Sequence, residues 1–219
     1  MSSYVPAVIC IGRNYAAHAS ELGHEVAERP IVFFKNPASV CGATDDIHIP
    51  EICQHEGPQV DYEGELAVII GETCRDVPRE DALSVVSGYA VANDVSARWW
   101  QKSGSGGQYS RGKSFDTFCP ISEPVHVSNV PDPQDLTLRT SLNGEVVQES
   151  STEHMIFPVT ELISELSRGM TIIGGSILLT GTPAGVGASK EPKRYLLHGD
   201  IVEVEIDHVG RLRNRVVED

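Results

Sequence analysis

The stretch Asp61-Tyr-Glu-Gly-Glu-Leu-Ala-Val-Ile-Ile-Gly71 constrains the chain most tightly. Residues 66–70 are an unbroken apolar run, β-branched in part and closed by Gly71. A run this short, bounded by glycine, reads as a strand buried on both faces. Glu63 and Glu65 stand just before it. Side chains two apart on a strand share a face, so the two carboxylates converge on one place. Like charges beside an apolar strand need a cation or a proton to resolve their repulsion. A divalent metal site meets that need; a pair of water-facing glutamates at the strand mouth is the plainer alternative.

The chain contains its own control. Glu203 and Glu205 have the same spacing within Val202-Glu-Val-Glu-Ile206, but there the acids alternate with apolar residues, as on a half-exposed strand. Arg211-Leu-Arg-Asn-Arg-Val216 follows after the turn at 207–210 and supplies arginines to lie opposite them. That pair reads as a solvated face. No comparable row of cations is expected beside Glu63 and Glu65.

At 219 residues the chain is expected to form one domain, 1–219, around one substantial core. No apolar stretch reaches the ~18 residues of a membrane span. Met-Ser-Ser-Tyr-Val-Pro at the start lacks the basic and apolar regions of a signal peptide. The expectation is a cytoplasmic protein, with a mitochondrial location left open if a presequence precedes this sequence. The five cysteines, Cys10, Cys41, Cys53, Cys74 and Cys119, are dispersed and include no Cys-x-x-Cys pair, which argues against a disulfide framework or a zinc ribbon. A net charge of −14 disfavours nucleic acid and anionic membrane as partners. An anionic substrate would therefore need a locally positive pocket.

In chain order, Val8-Ile-Cys-Ile11 is a strand candidate, and Tyr15 to Leu22 a short helix stopped by Gly23. His18 and Glu21 share one face of that helix. An imidazole held against a carboxylate can act as a general base towards water, although an ordinary surface pair has the same spacing. Ile31-Val-Phe-Phe-Lys-Asn-Pro37 reads as a strand ending in a proline turn, and residues 41–60 as loop. Pro78 to Val86 reads as a short helix capped by Gly88. Tyr89-Ala-Val-Ala-Asn93 is a further buried strand, and it ends on a third acid, Asp94. Three carboxylates at strand ends offer the oxygen-rich coordination that suits Mg²⁺ or Mn²⁺, and the lack of nearby His or Cys ligands argues against zinc.

From Val95 to Phe115 there is no acid, in a chain with 31 of them. The stretch carries Arg98, Lys102, Arg111 and Lys113 around Ser103-Gly-Ser-Gly-Gly107, a candidate for the positive pocket wall; a basic surface loop is the alternative. Trp99 and Trp100 either cover the site or anchor this segment. Residues 136–148 read as a hairpin turning at Asn143-Gly144. Thr160 to Gly169 reads as an amphipathic helix that packs through Leu162, Ile163 and Leu166. Ser176-Ile-Leu-Leu179 is a buried strand leading into Thr180-Gly-Thr-Pro-Ala-Gly-Val-Gly187, a loop that offers hydroxyls and backbone N–H groups to an anion. Pro183 and Pro192 discourage the helix that a dinucleotide-binding turn should start.

Five motifs in order carry a resemblance: Gly12-Arg-Asn-Tyr-Ala-Ala-His18, Asp61-Tyr-Glu-Gly-Glu-Leu66, Asn93-Asp-Val-Ser-Ala-Arg98, Gly112-Lys-Ser-Phe-Asp-Thr-Phe-Cys-Pro120 and Thr180-Gly-Thr-Pro-Ala-Gly-Val-Gly187. Together they resemble the fumarylacetoacetate hydrolase superfamily across nearly the whole chain. The resemblance implies an α+β, mostly β fold like that family's C-terminal domain: a mixed β-sandwich roll with a few short helices, a lid segment at about residues 12–28, and a homodimer. It implies Glu63, Glu65 and Asp94 as ligands of Mg²⁺ or Mn²⁺, and Arg98, Gln101, Lys113 and Thr182 as substrate-binding residues. His18 and Glu21 match the water-activating pair, with Lys113 also catalytic. The implied substrate is a small 2-oxo acid. The leading expectation is hydrolysis of a C–C bond in an acylpyruvate or fumarylpyruvate-type β-diketo acid through a metal-stabilised pyruvate enolate. Oxaloacetate tautomerase or decarboxylase chemistry on the same site is the alternative, and a non-catalytic dicarboxylate-binding protein a more distant one. Two positions depart from the pattern: Gly64 stands where an apolar residue is usual between the glutamates, and Trp99 where an acid is common.

Overall fold

The computed structural model describes residues 5–219. Most of the stretch on which the expectation of no signal peptide rests lies outside the described residues. An eight-stranded mixed sheet is built around the apolar run, which forms the strand Gly64–Ile70 with nearly every side chain buried. Its neighbours are Val86–Asn93 and Ile177–Leu179, both antiparallel to it. Outward from Ile177–Leu179 come Val8–Gly12 and the edge strand Ile31–Lys35; outward from Val86–Asn93 come Cys119–Ile121 and Val40–Gly42. Val125–His126 also pairs with Val86–Asn93.

A second sheet has five strands, in the order Glu145–Ser151, Thr137–Leu142, Ile201–Ile206, Gly210–Glu218 and Ile47–Ile49. Its first hairpin turns at Asn143-Gly144, both at positive φ (54° and 83°), the geometry expected of that dipeptide. The two sheets meet closely at Gly64. A Cβ there would come within 2.2 Å of Thr140 Oγ1 and 3.0 Å of a Val204 methyl, so the departure from the family pattern is what lets the sheets approach. Val68, Val91, Leu138, Val204 and Leu212 contribute to the shared core. The fold is thus mostly β, as expected, with four short α-helices among the described residues: α1 (Ala16–Glu21), α2 (Arg98–Gln101), α3 (Tyr109–Lys113) and α4 (Val159–Ser167).

Three local expectations are corrected. Residues 41–60 are not all loop, because Val40–Gly42 and Ile47–Ile49 are strands paired in parallel with partners more than 70 residues away. Such distant pairing leaves little local signal. Pro78 to Val86 is no α-helix: Arg79–Val85 is a 3₁₀ segment, and a strand begins at once at Val86, so Gly88 lies inside that strand and caps nothing. Val95 to Phe115 is not the basic surface loop of the alternative reading but holds α2, α3 and a 3₁₀ turn at Ser103–Ser105. The control pair behaves as expected. Glu203 lies opposite Arg213 and Glu205 opposite Arg211, with Arg213 Nε 3.3 Å from Glu203 Oε1. All five cysteines are free, and no helix among the described residues is long and apolar enough to cross a membrane.

Candidate active site

The Gly64–Ile70/Val86–Asn93 hairpin pair brings Glu63 and Asp94 together, because Gly64 pairs with Asn93 and the Asp94 amide donates to the Glu63 carbonyl at 2.8 Å. Asn93 Oδ1 accepts from the Glu63 amide at 2.9 Å and fixes the chain where it enters the strand. Glu65, two residues on, turns to the same side. One carboxylate oxygen each of Glu63, Glu65 and Asp94 lies within 4.8 Å of the others, and all three residues are buried.

Cations surround the cluster, contrary to the sequence expectation that Glu63 and Glu65 lack them. Lys113 Nζ bridges Glu63 Oε2 and Asp94 Oδ2, each at 2.6 Å. Lys35 Nζ lies 2.6 Å from Asp94 Oδ1, and Arg98 Nη1 2.6 Å from Glu63 Oε1. Arg98 is held in turn by Asp61, whose Oδ2 accepts from its Nε at 2.9 Å. Lys35 and Asp61 were not identified from sequence as site residues. A signal for Lys35 was present: it shares the phase of buried Phe33 on a strand whose intervening positions, 32 and 34, are exposed.

Glu65 is the exception, since among the described residues no cation pairs with it; its Oε2 accepts from the Gly181 amide, at 2.8 Å. Burial, then the charges of Asp94 and Glu63, push its carboxyl well above the ordinary range. Glu63 goes the other way. Burial opposes its ionisation, but Lys113 and Arg98 outweigh that and pull it down to about 2. With Glu65 ionised, as a bound cation requires, Asp61, Glu63, Glu65 and Asp94 against Lys35, Arg98 and Lys113 leave one negative charge in excess inside the protein. Three converging oxygen donors, one lacking a counter-charge, fit a hard divalent cation such as Mg²⁺ or Mn²⁺.

Helix α1 lies over this cluster. Asn14, just before it, donates from Nδ2 to the carbonyls of Phe157 (3.0 Å) and Thr180 (2.8 Å), which pins the start of the segment. His18 Nδ1 lies 2.7 Å from Glu21 Oε1. Glu21 Oε2 accepts from the Gly185 amide at 2.8 Å, so one carboxylate both orients the imidazole and ties the segment to the 180–187 loop. Burial favours the protonated Glu21, but the bonds from His18 and Gly185 outweigh it and hold the carboxyl below the ordinary range. Several amides of that stretch are taken by the protein's own carboxylates rather than left for an external anion, as the sequence suggested. Gly181 N–H serves Glu65, Gly185 N–H serves Glu21, and the amides of Gly187 and Ala188 serve Asp61 at 2.8 and 3.0 Å.

A cavity opens between α1 and the carboxylates, lined among others by His18, Glu63, Arg98, Gln101, Lys113 and Thr182. Every residue expected to bind substrate therefore faces one space, and Glu65 and Asp94 lie behind Glu63 and Lys113. Gln101 Oε1 accepts from Arg98 Nη1 at 3.1 Å, and Thr182 Oγ1 donates to the Gly64 carbonyl at 2.9 Å. Close contact builds the wall: a Cβ on Gly112 would lie 2.3 Å from the Gln101 amide nitrogen, so glycine there lets α3 seat Lys113 against α2. Of the four cations in the acid-free stretch, Arg98, Lys102 and Lys113 line the cavity, whereas Arg111 stacks on Trp100, 4.5 Å from the ring centroid. Trp100 donates from Nε1 to the Ile52 carbonyl and packs on Phe115, so it anchors the segment.

The family model for the fumarylacetoacetate (FAA) hydrolase C-terminal domain matches residues 7–217. The chain belongs to the fumarylacetoacetate hydrolase family. It is 44% identical over 211 residues to a Xenopus laevis protein named oxaloacetate tautomerase fahd2, mitochondrial, covering 96% of this chain and 65% of that one. It is 43% identical over 212 residues to the Bacillus subtilis (strain 168) protein named oxaloacetate tautomerase YisK, covering 95% and 69%. The chain thus spans about two thirds of the length of these relatives. Among solved structures it resembles a fumarylpyruvate hydrolase from Pseudomonas aeruginosa in complex with Mn²⁺ and pyruvate (TM-score 0.88, 34% identity, 98% of this chain and 91% of that one). It also resembles a fumarylacetoacetate hydrolase from Exiguobacterium antarcticum (TM-score 0.85, 42% identity, 97% and 75%). The relatives that carry activity names are enzymes.

Proposed function

We propose that this chain is a divalent-metal-dependent enzyme that interconverts the enol and keto forms of oxaloacetate. The observation that carries the reading is that His18, with Nδ1 engaged by Glu21, lines the same cavity as Arg98 and Lys113 above a carboxylate cluster fit for a dication. The names of the frog and Bacillus relatives favour tautomerisation over the acylpyruvate hydrolysis expected first from sequence.

In this reading Glu63, Glu65 and Asp94 hold Mg²⁺ or Mn²⁺, which when bound supplies positive charge that polarises the 2-oxo group. Arg98, Gln101 and Lys113 take the adjoining carboxylate and fix which carbon faces His18. Keto-to-enol conversion is the net transfer of one proton from C3 to the C2 oxygen, and the reverse reaction returns it to C3. His18 exchanges the proton at C3 through Nε2, while Glu21 holds the ring orientation and stabilises its charged form. The Lys113 ammonium offsets negative charge developing on the C2 oxygen, and burial makes that offset stronger than it would be in water. The pocket is covered by α1, which keeps bulk water from competing for the proton.

A homodimer belongs to this reading. The edge strand Ile31–Lys35 leaves Val32 and Phe34 uncovered, 41% and 45% exposed, on an apolar sheet edge that a second copy would shield. Light scattering on the purified protein reads the mass directly.

The likeness to a fumarylpyruvate hydrolase structure over 91% of that chain keeps hydrolysis as the second reading, in which the same imidazole activates water instead. A Mg²⁺-supplemented panel of enol- and keto-oxaloacetate, acylpyruvates and fumarylpyruvate, with product identification, separates the two. Tautomerisation of oxaloacetate without cleavage of any acylpyruvate supports the proposal; the reverse pattern replaces it with the hydrolase.

A further inference from the structure

The cavity has an inner and an outer set of cations, and they differ in kind. Lys35, Arg98 and Lys113 are each ion-paired to a buried carboxylate. Arg13 and Lys102 line the cavity further out, and among the described residues neither has an ion-pair partner. Arg13 Nε is shielded from solvent and makes no hydrogen bond, so a strong donor is left unused inside a protein of net charge −14. The Arg13 backbone is left-handed, with φ 55°, a conformation an arginine adopts only where its surroundings impose it. Between the pinned Asn14 and the strand Val8–Gly12, that conformation is fixed by its neighbours. The two cations share one locality with His24, whose imidazole is pushed down by burial and by the charges of Arg13 and Lys102.

We propose that Arg13, assisted by Lys102, forms an outer anion subsite that binds the distal carboxylate of a dicarboxylic 2-oxo acid and so sets the enzyme's preference for dicarboxylates. The assignment rests on the reading that Arg98 and Lys113 take the 2-oxo-carboxylate end. Arg13 then supplies the planar, charged donor pair that carboxylates accept best, and Lys102 adds a point charge at the rim. A substrate ending in a methyl group would leave Arg13 as it stands, with a buried donor unmatched. A substrate ending in a carboxylate satisfies it, which turns an unpaired group into discrimination.

Equilibrium binding tests this with no net turnover when the oxaloacetate is first brought to its keto–enol equilibrium. Oxaloacetate and 2-oxobutyrate differ only by a carboxylate in place of a methyl, and calorimetry with saturating Mg²⁺ measures both. The parent should prefer oxaloacetate. Arg13→Gln should weaken oxaloacetate binding by roughly 10–100-fold, the usual worth of a charge-assisted hydrogen bond, and leave 2-oxobutyrate within about 3-fold. Arg13→Lys should recover part of the loss, and Lys102→Gln should cost less than Arg13→Gln. Retained 2-oxobutyrate binding shows that the variants are folded. Equal weakening of both ligands would mean that Arg13 only braces the segment, and unchanged binding of both would also overturn the subsite. Failure of the parent to bind either acid would overturn it together with the reading it rests on. If the parent discriminates through Arg13 yet tautomerises nothing, the subsite stands and the proposed reaction falls.

Discussion

Lys35 Nζ lies 2.6 Å from Asp94 Oδ1, and neither side chain is exposed to solvent at all. Lys35 also donates to the Val95 carbonyl at 3.2 Å, so one ammonium joins the sheet's edge strand to the chain as it leaves Val86–Asn93. Breaking a buried pair from one side leaves an uncompensated charge, a loss of about 3–5 kcal/mol. Lys35→Met should therefore destabilise the metal-free protein by that order, and added Mg²⁺ should restore part of the loss by binding only the folded state. Urea denaturation with and without Mg²⁺ measures both effects. A variant as stable as the parent in chelator would show that Lys113 alone balances Asp94.

Glu65→Gln should weaken Mg²⁺ or Mn²⁺ binding on the order of 10²-fold or more, because it removes a charged oxygen ligand from a hard dication. Glu203→Gln, on the solvated face, should leave it unchanged. Among the described residues Glu65 is in no ion pair, and burial and two nearby carboxylates oppose its charge, so the same change should stabilise the metal-free protein. Metal titration by calorimetry and denaturation in chelator should thus move in opposite directions.

That opposition was partly legible in the sequence. Two acids at a strand mouth and a third beyond the next strand showed where a cation belongs, and the spacing of His18 and Glu21 foretold their contact. The phase of Lys35 with Phe33 marks it as inward-facing but does not name its partner, 59 residues away, and Asp61 meets a cation 37 residues away, a pairing that leaves no local periodicity. The composition of the Thr180–Gly187 loop shows that it has amides to offer, not which carboxylates the fold brings to them. The strands at 40–42 and 47–49 escaped for a related reason: their hydrogen bonds come from residues 119–121 and 216–218, far along the chain.

His18→Ala should lower tautomerisation roughly 10²–10⁴-fold, the usual worth of a positioned acid–base group. It should not alter Mg²⁺ affinity, since His18 is not among the clustered carboxylates. Steady-state rates and metal titration on one preparation check both halves. Equal rates for parent and variant would remove the imidazole from the reaction.

The Glu21 carboxyl is held below its ordinary value of 4.5 in the folded state by His18 and the Gly185 amide, against the opposing effect of burial. A depressed carboxyl adds stability above the unfolded value, and that share is lost as pH falls through the folded value. The stability difference between the parent and Glu21→Gln should therefore shrink as pH drops below 4.5. Denaturation curves across that range read the change. A difference independent of pH would show that the Glu21 charge contributes nothing to closing α1.

Gly64→Ala should cost about 1–3 kcal/mol, because its Cβ would lie 2.2 Å from Thr140 Oγ1 and 3.0 Å from Val204. Among the described residues Thr140 Oγ1 has no hydrogen-bond partner, so Thr140→Ala removes the obstacle at little cost. The double variant should be more stable than the sum of the single changes predicts. Strict additivity would show that Val204, rather than Thr140, sets the spacing of the sheets.

The most direct measurement follows the ultraviolet absorbance of freshly dissolved enol-oxaloacetate with the parent protein, in Mg²⁺ and in chelator, beside Glu65→Gln. The account predicts fast, protein-dependent decay to the keto form in Mg²⁺, a rate near the uncatalysed one in chelator, and little acceleration by Glu65→Gln at the same metal concentration. Decay no faster with the parent than without it in Mg²⁺, or equal acceleration by parent and Glu65→Gln, would contradict it.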